Sequence, residues 1–168
     1  MIDTKKEFEL LVKANMRRAY FTALGILGSH DAAMEISQEA FIRAYKHFNK
    51  FDRDRNFFTW YYKILKNLCL NAIRNEKRHK HESFLEYENS KLTSEDLLKE
   101  YEKNEIIQKL QEALLRLDFE DREIIVLKVF EKLSYNEIAE ILNIPAGSVM
   151  SRLFYARKKL AVKLKGIM

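Results

Sequence analysis

The chemistry that this sequence offers is concentrated where aromatic side chains alternate with Lys and Asn. Trp60, Lys63 and Asn67 lie off the apolar stripe of a helix predicted over residues 58–80, and a polar loop over 49–57 precedes that helix. Bases can stack on aromatic rings while cations meet phosphate, so the pattern suits unstacked single-stranded DNA. It is equally consistent with a helix whose aromatic residues are core and whose cations are solvated.

A second stretch, residues 134–159, predicts two helices joined by a tight turn. Ser134 and Glu137 form a capping-box pattern, and Asn143 can take the left-handed conformation that ends a helix. Pro145 then favours a new helix start. Because the connection is too short for antiparallel packing, the helices must cross steeply, which is the layout of a DNA-binding helix-turn-helix.

The second helix of this pair has two distinct faces. Its apolar stripe is formed by Val149, Leu153, Ala156, Leu160 and Leu164. The opposite face and its flanks carry Gly147, Ser148, Met150, Ser151, Phe154, Tyr155 and Lys158. Phe154 therefore points at solvent, and contact with a thymine methyl group would explain it, with a partner contact as the alternative. Phosphate contacts are expected from Arg152, Arg157, Lys158, Lys159, Lys163 and Lys165.

The elements that position these residues are predicted to be all helical. Four Gly and one Pro in 168 residues are too few for a turn-rich β protein. Further helices are predicted from Thr4 to about Gly28, opened by a Thr4–Glu7 capping box, and from Ser29 or Asp31 to Phe48. Two more follow over about 106–117 and, capped by Asp118, 119–132. The last would offer the core Ile124, Ile125, Leu127 and Val129.

The net charge divides the chain into three segments. It is +6 over residues 1–78, −4 over 79–105 and +3 over 106–168. Two basic segments around an acidic one fit two modules that face a polyanion, joined by a linker, although an excess of Lys is common in helical proteins. Weak apolar periodicity over residues 79–104 also indicates a linker, with partial helix over 94–103.

Other classes of function lack support in the sequence. Cys69 lies among apolar residues and is typical of a core position, and His79 and His81 have no further ligand nearby, so no metal or other cofactor is expected. The sequence shows no spacing of metal ligands, no Gly-rich phosphate loop and no nucleophile motif, so no catalytic residue is predicted. With no apolar run of membrane-spanning length and no signal peptide, we expect an intracellular protein.

Two stretches together resemble one known family. Residues 31–45, followed by residues 57–71, resemble region 2 of sigma-70-type bacterial sigma factors, and residues 117–160 resemble their region 4. The two stretches have the order and spacing of the extracytoplasmic-function (ECF) subfamily, which lacks the additional regions of housekeeping sigma factors. The resemblance implies an all-α fold of two small helical domains joined by a flexible linker. The implied boundaries are 1–80, 81–104 and 105–168.

The function that the resemblance implies is promoter recognition for RNA polymerase, without catalysis by this chain and without a small-molecule substrate. The implied partners are core polymerase through its β′ and β subunits, promoter DNA and an anti-sigma factor. The protein would be cytoplasmic in a bacterium and would not insert into the membrane. An anti-sigma factor could hold it at the membrane surface. The linker would pass through the RNA exit region of polymerase.

The resemblance also assigns residues to these roles. Core polymerase would be bound by Glu35, Ile36, Gln38, Glu39, Ile42 and Arg43. The melted −10 element would be held by Arg53, Arg55, Asn56, Thr59, Trp60, Lys63 and Asn67. The −35 element would be bound by Ser134, Tyr135, Ser148, Met150, Ser151, Arg152, Phe154, Tyr155, Arg157 and Lys158.

Four positions depart from the usual family pattern. Met150 and Tyr155 stand where basic residues are common, and Ser148 replaces the more usual Thr. Lys132 stands where Gly often ends the preceding helix, and a left-handed conformation there would cost about 1 kcal/mol. The alternative function is a free-standing helix-turn-helix regulator that does not bind polymerase, in which residues 31–71 have no role beyond dimerisation.

Overall fold

The computed structural model describes residues 3–79, 99 and 104–168, and every regular element in these residues is helical. The first half contains α1 (Thr4–Leu27), α2 (His30–Lys46), a short 3-10 turn (Phe48–Lys50) and α3 (Phe57–His79). The second half contains α4 (Glu105–Leu115), α5 (Phe119–Ile125), a π-helical turn (Val126–Phe130), α6 (Tyr135–Leu142) and α7 (Ala146–Lys165). Apart from Lys99 and Asn104, the predicted linker 81–104 and its partial helix lie outside the described residues.

The ends of α1 are set by local hydrogen bonds. Asp3 is the N-cap, and its side chain accepts a 3.1 Å bond from the Lys5 N–H. The predicted Thr4–Glu7 capping box is therefore wrong, because Asp3 occupies the cap one residue earlier and Glu7 pairs with Arg53 instead. Gly28 ends the helix with φ 72°, where its lack of a Cβ removes the steric cost of the left-handed conformation.

A cluster of aromatic side chains lies between α1, the 3-10 turn and the start of α3. Phe8, Phe48, Phe51 and Phe57 are each at most 6% exposed, and their ring centroids lie 5.0–6.5 Å apart in the contacting pairs. Most of these pairs meet edge to face, an arrangement that favours the aromatic quadrupoles in addition to burying area. The cluster joins α1 and α3 to the 3-10 turn, so it fixes where the loop before α3 begins and ends.

The second half departs from the prediction of one helix over residues 119–132. The α-helix stops at Ile125, and the wider π turn inserts extra chain before Glu131, whose N–H bonds to Val126 O at 3.1 Å. Val129 lies within the π turn and is 48% exposed, so the prediction that it belongs to the core is wrong. Lys132 is left-handed, with φ 52°, so the cost of about 1 kcal/mol for this conformation applies here.

The helix-turn-helix is confirmed in its details. The Glu137 N–H donates to Ser134 Oγ at 3.1 Å, and the Ser134 N–H donates to Glu137 Oε2 at 2.8 Å. Asn143 ends α6 in the left-handed region, with φ 54° and ψ 49°, and Pro145 is the N-cap of α7. Val149, Leu153 and Ala156 are buried, so α7 presents its opposite face to solvent.

The two halves pack against each other on one continuous hydrophobic core. Helix α1 contacts α2 and α3 on one side and α4, α5 and the π turn on the other. The approach is close at Gly25, where an added Cβ would lie 2.9 Å from a Val126 methyl group. The sequence leaves the relative position of the two modules open, and the structure supplies it.

Two glycines give a matched test of this packing. A Cβ at Gly28 would lie 2.4 Å from Leu115 Cδ1 on a left-handed backbone, whereas a Cβ at Gly147 has nothing within 4 Å. We expect Gly28→Ala to lower the free energy of unfolding by about 2–4 kcal/mol, through backbone strain and overpacking. Gly147→Ala should raise it by up to about 1 kcal/mol, because Ala is the better helix former. Urea denaturation of both variants measures the difference, and equal midpoints would contradict the close contact.

Candidate nucleic-acid interface

The outer face of α2 offers a mixed surface. Glu35, Ile42 and Arg43 are exposed, and Ile42 keeps 51% of its surface in solvent. Ile36, Gln38 and Glu39 are half-buried. Arg43 Nε lies 2.8 Å from Glu39 Oε1 one turn earlier, so that pair is mutually neutralised and solvent-screened. An exposed apolar side chain among acids, an amide and a cation suits a protein partner better than a phosphate backbone.

Arg53 is engaged within the protein, although the sequence predicted it as a −10 DNA contact. Its guanidinium donates to the carbonyl oxygens of Phe48 and Phe51 at 3.2 and 3.0 Å, and its Nε lies 3.2 Å from Glu7 Oε1. It also lies 4.3 Å from the centroid of the Phe48 ring. Arg53 therefore fastens the loop 52–56 to α1 and to the aromatic cluster.

Two neighbouring residues of this loop hold its backbone by hydrogen bonds, and a third is largely exposed. Asn56 Oδ1 accepts from the Thr59 N–H at 3.2 Å and so caps the start of α3. Asp52 Oδ1 accepts from the Asp54 N–H at 3.0 Å in a local turn. Arg55 extends outward, with its side chain 71% exposed. Of the two predicted arginines, Arg55 is the more exposed, with 71% of its side chain in solvent against 43% for Arg53.

The start of α3 carries the remaining residues predicted for single-stranded DNA. Trp60 is half-buried, with ring centroids 5.1 Å from Phe51 and 5.8 Å from Phe57. One side of Trp60 therefore packs on the core, while the rest of its surface meets solvent. Lys63 and Asn67 are exposed on the next turns, and Thr59 is half-buried. These groups form a partly aromatic, partly cationic strip beside Arg55.

The outward face of α7 exposes three large apolar or aromatic side chains. Met150, Phe154 and Tyr155 are 51%, 54% and 60% exposed, and the rings of Phe154 and Tyr155 meet edge to face at 5.4 Å. A shallow groove of about 420 Å³ lies along this face. It is lined by Tyr135, Met150, Leu153, Phe154, Arg157, Lys158 and Ala161. Its apolar floor can hold a methyl-bearing base edge.

Polar and cationic groups surround this groove. Lys158 Nζ lies 4.4 Å from the Phe154 ring centroid, while Ser148 is half-buried and Arg152 and Arg157 are exposed. Ser151 Oγ donates to Gly147 O at 3.1 Å. Lys159, which the sequence predicted as a phosphate contact, instead lies 2.6 Å from Asp121 Oδ2, and this hydrogen bond raises the pKa of the lysine.

The start of α6 is held by contacts with Lys128 in the π turn. Ser134 is the cap described above, and Tyr135 is half-buried, with Lys128 Nζ 4.4 Å from its ring centroid. The same ammonium donates to Leu133 O at 2.9 Å. Lys128 therefore ties the π turn to the start of α6, which fixes the angle at which α7 follows.

Sequence reasoning missed the polar groups where the two halves meet. Glu123 and Glu131 are buried there, against partners in α1 and α3. Burial raises the pKa of Tyr62 well above its ordinary value, and its hydrogen-bonded partner Glu123 adds to the shift. A signal did exist, because apolar residues 124–127 cover all sides of a helix and so predict burial on two sides.

The described part of the chain holds neither a cluster of metal-ligating side chains nor a helix that could span a membrane. None of its His, Cys, Asp and Glu side chains gather in threes as a metal site requires. Burial raises the pKa of the Cys69 thiol to about 12, with Glu123 adding to the shift, so the thiol stays protonated and unreactive. No described helix is long and apolar enough to cross a membrane.

Comparison with known proteins gives two matches along the chain. Residues 11–79 match the family model of sigma-70 region 2, and residues 107–160 match that of sigma-70 region 4. The chain is 35% identical over 160 residues to the ECF RNA polymerase sigma factor SigW of Bacillus subtilis, covering 89% of this chain and 84% of that protein. It is 33% identical over 170 residues to the ECF RNA polymerase sigma-E factor of Escherichia coli K12, covering 96% and 88%.

Solved structures match in fold. The sigma factor RpoE of Bartonella quintana, crystallised with the anti-sigma factor NepR, has a TM-score of 0.74 at 24% identity, covering 95% of this chain and 98% of that one. CnrH, in complex with the cytosolic domain of CnrY, has a TM-score of 0.69 at 22% identity, covering 98% and 91%. The helical architecture over both halves is therefore one already seen in other proteins.

The two arginines of the loop before α3 allow a matched test. Arg53→Ala removes hydrogen bonds to two carbonyl oxygens and a contact with an aromatic face, so it should lower the free energy of unfolding by about 1–3 kcal/mol. Arg55→Ala removes only two exposed ion pairs, with N–O separations of 3.7 and 4.0 Å. It should change the free energy of unfolding by less than about 0.5 kcal/mol. Chemical denaturation distinguishes the two. A larger loss from Arg55→Ala would contradict the fastening role of Arg53.

Proposed function

This chain belongs to the ECF subfamily of sigma-70 RNA polymerase sigma factors, and on that premise we propose how its surfaces divide promoter recognition. A sigma factor gives polymerase its promoter specificity and leaves RNA synthesis to the core enzyme. Residues 1–80 would bind core polymerase and the −10 element, residues 105–168 would bind the −35 element, and residues 81–104 would connect them. The net positive charge of residues 1–78 and of residues 106–168 supports this division, because basic segments are attracted to the phosphates of DNA.

The core-polymerase contact is proposed for the outer face of α2. Ile42 would supply apolar area at the centre of the contact, and Glu35 and Arg43 would supply charged groups near it. Ile36, Gln38 and Glu39 are half-buried and would set the shape of the surface. The support is physical: exposed apolar and acidic side chains together suit a protein surface, whereas acids alone would repel a phosphate backbone.

The −10 contact is proposed for the strip formed by the loop 52–56 and the start of α3. Trp60 would stack with an unpaired base, because one side of its ring is already supported by Phe51 and Phe57. Arg55 and Lys63 would meet phosphates, and Asn67 and Thr59 would offer hydrogen-bonding groups. Arg53 and Asn56 would act indirectly by holding the loop in shape.

The −35 contact is proposed for α7, and it rests on one observation above the rest. Phe154 remains 54% exposed on the outward face of the second helix of a helix-turn-helix, the face that such motifs place in the major groove. Phe154 and Met150 would contact thymine methyl groups, and Ser151 and Ser148 would hydrogen-bond to base edges. Arg152, Arg157 and Lys158 would meet phosphates, while Ser134, Tyr135 and Tyr155 would contact the backbone from the flanks.

The proposal includes an anti-sigma factor as a further partner. Two of the solved structures that match in fold are a sigma factor with the anti-sigma factor NepR and CnrH with the cytosolic domain of CnrY. The apolar face of α7 and the α2 surface are the areas that such a partner would cover. The proposal also includes a cytoplasmic location, because promoter DNA and polymerase are found there.

In vitro transcription with core polymerase and a promoter library tests the function. We expect the chain to bind core polymerase and to direct initiation at a defined set of promoters. Binding without a gain in specific initiation, or no binding at all, would contradict the sigma-factor function and would favour a regulator that acts without polymerase. A core enzyme sample without the chain is the control.

The Phe154→Ala variant tests the −35 assignment in the same assay. The loss of an apolar base contact should reduce discrimination among −35 sequences by about fivefold, without loss of core binding. Val162→Ala is the matched control, because Val162 is a 68% exposed apolar residue further along α7 and outside the groove. Unchanged specificity in Phe154→Ala, or an equal change in both variants, would show that Phe154 does not read the bases.

A further inference from the structure

A lysine of α7 is paired with an acid of α5. Lys159 Nζ lies 2.6 Å from Asp121 Oδ2, although the two residues are 38 positions apart in the chain. The side chain of Asp121 is only 16% exposed, whereas that of Lys159 is 55% exposed. Because solvent reaches only one partner freely, this pair is screened less than an ion pair that is exposed on both sides. Lys159 must therefore leave a close and partly shielded counter-charge before it can contact another anion.

The position of Asp121 is fixed by the residue that follows it. Arg122 Nε donates to Leu114 O at 2.9 Å, and Arg122 Nη2 donates to Leu117 O at 3.0 Å. These hydrogen bonds hold the first turn of α5 against the end of α4, and α5 also packs along α7. Asp121 is thus presented to α7 by a hydrogen-bonded helical turn and not by a loop.

Helical geometry places Lys159 on one flank of the face that is proposed for DNA. Phe154 is 54% exposed near the middle of that face. At about 100° per residue, Arg152 and Lys159 lie on one flank of it, about 10 Å apart along the axis, and Arg157 lies on the other flank. The two flanks of a helix in the major groove face the phosphates of the two strands. Lys159 is therefore placed where a phosphate contact would be expected.

The pairing changes how much positive charge α7 offers to DNA. Arg152, Arg157 and Lys158 are exposed, but Lys159 and Asp121 together carry no net charge. Each cation that neutralises a phosphate releases condensed counterions, and this release supplies essentially all of the affinity for DNA of any sequence. A lysine that is withheld from phosphate therefore lowers the affinity for every duplex.

We propose that Asp121 holds Lys159 away from the phosphate backbone and so limits the affinity of α7 for DNA of any sequence. The inference rests on the DNA contact proposed above for α7. Asp121 is a positioning residue, because it acts on DNA through Lys159. Non-specific sites far outnumber promoters in a genome, so a lower sequence-independent affinity leaves more of the protein available for its own sites. Binding at those sites then depends more on base contacts such as that of Phe154.

Binding of the full chain to a duplex of arbitrary sequence measures this effect without polymerase. The probe is a fluorescein-labelled duplex, and its anisotropy at several salt concentrations gives the slope of log affinity against log salt. Asp121→Asn should make this slope steeper by about 0.9, because the released Lys159 gains one phosphate contact. At low salt the same variant should bind about threefold more tightly than the unchanged chain, or better. An unchanged slope in Asp121→Asn would overturn the proposal.

Glu112→Gln is the matched control. Glu112 lies on α4 and pairs with Arg116 at the same N–O separation of 2.6 Å. The substitution also removes one negative charge and releases one cation, but the cation is not on α7. We expect the slope to change by less than about 0.3. An equal change in Glu112→Gln and Asp121→Asn would overturn the proposal, because the net charge of the chain would then explain both.

The double variant Asp121→Asn/Lys159→Met decides whether the acid acts through the lysine. It has the same net charge as the unchanged chain, and we expect the same salt slope. A slope as steep as that of Asp121→Asn alone would overturn the proposal, because Asp121 would then repel DNA directly. A slope flatter than that of the unchanged chain by about 0.9 would overturn it as well, because Lys159 would already contact phosphate despite its partner.

Circular dichroism shows whether each variant is folded. If Asp121→Asn does not fold, Lys159→Met in the otherwise unchanged chain decides the question. A change in slope of less than about 0.3 supports the proposal, and a loss of about 0.9 overturns it. If neither the unchanged chain nor folded Asp121→Asn binds the duplex at about 25 mM salt, the proposal is overturned, because the released lysine then gives no DNA contact.

Transcription in vitro separates this inference from the promoter function. If the unchanged chain directs no specific initiation with core polymerase, the promoter function fails, while the salt slopes still decide whether Asp121 withholds Lys159 from DNA. If initiation is specific and Asp121→Asn leaves the salt slope unchanged, the promoter function stands and the role of Asp121 is overturned.

Discussion

Helix α1 is buried on two sides, and the arrangement of the rest of the chain depends on this. One side packs on α2 and α3, and the other packs on α4, α5 and the π turn. A helix in this position must be apolar or small on most of its surface, and polar groups that remain there must find partners. Gly25 allows the close approach to Val126, and Arg18 and Thr22 pair with Glu131. Because this second side also places the helix-turn-helix, α1 controls the geometry of both halves.

The surfaces proposed for DNA are shaped by residues that do not themselves touch it. Arg53 fastens the loop before α3, Asn56 caps that helix, and the aromatic cluster supports one side of Trp60. In the second half, Lys128 ties the π turn to α6, and Lys159 is paired with Asp121. Arg53, Asn56, Lys128 and Lys159 are polar or charged, so composition alone would count them as available for DNA. The apolar character of the outward face of α7 comes from the exposed side chains of Met150, Phe154 and Tyr155.

The contact between the two halves combines buried charge with close packing. Glu123 and Glu131 are buried there and are paired with polar groups of α1 and α3. Buried ion pairs add little net stability, because each charge loses its hydration on burial. An interface made only of large apolar residues would be held more strongly by the area that it buries. The polar pairs therefore contribute mainly to the register between the halves.

The sequence by itself determined the local structure and the family. Capping boxes, left-handed turn residues and apolar periodicity act over a few residues, so Ser134, Asn143 and the stripe of α7 could be identified without tertiary information. The order and spacing of the two motifs then indicated an ECF sigma factor. The roles predicted for single residues at the polymerase and DNA surfaces stay predictions. Tertiary structure decided the rest: the π turn that exposes Val129, the engagement of Arg53, and the burial of Glu123 and Glu131. The pairs that Arg53, Glu123 and Glu131 form join residues 46, 61 and 113 positions apart, and no local pattern records which distant partner a charged side chain will find.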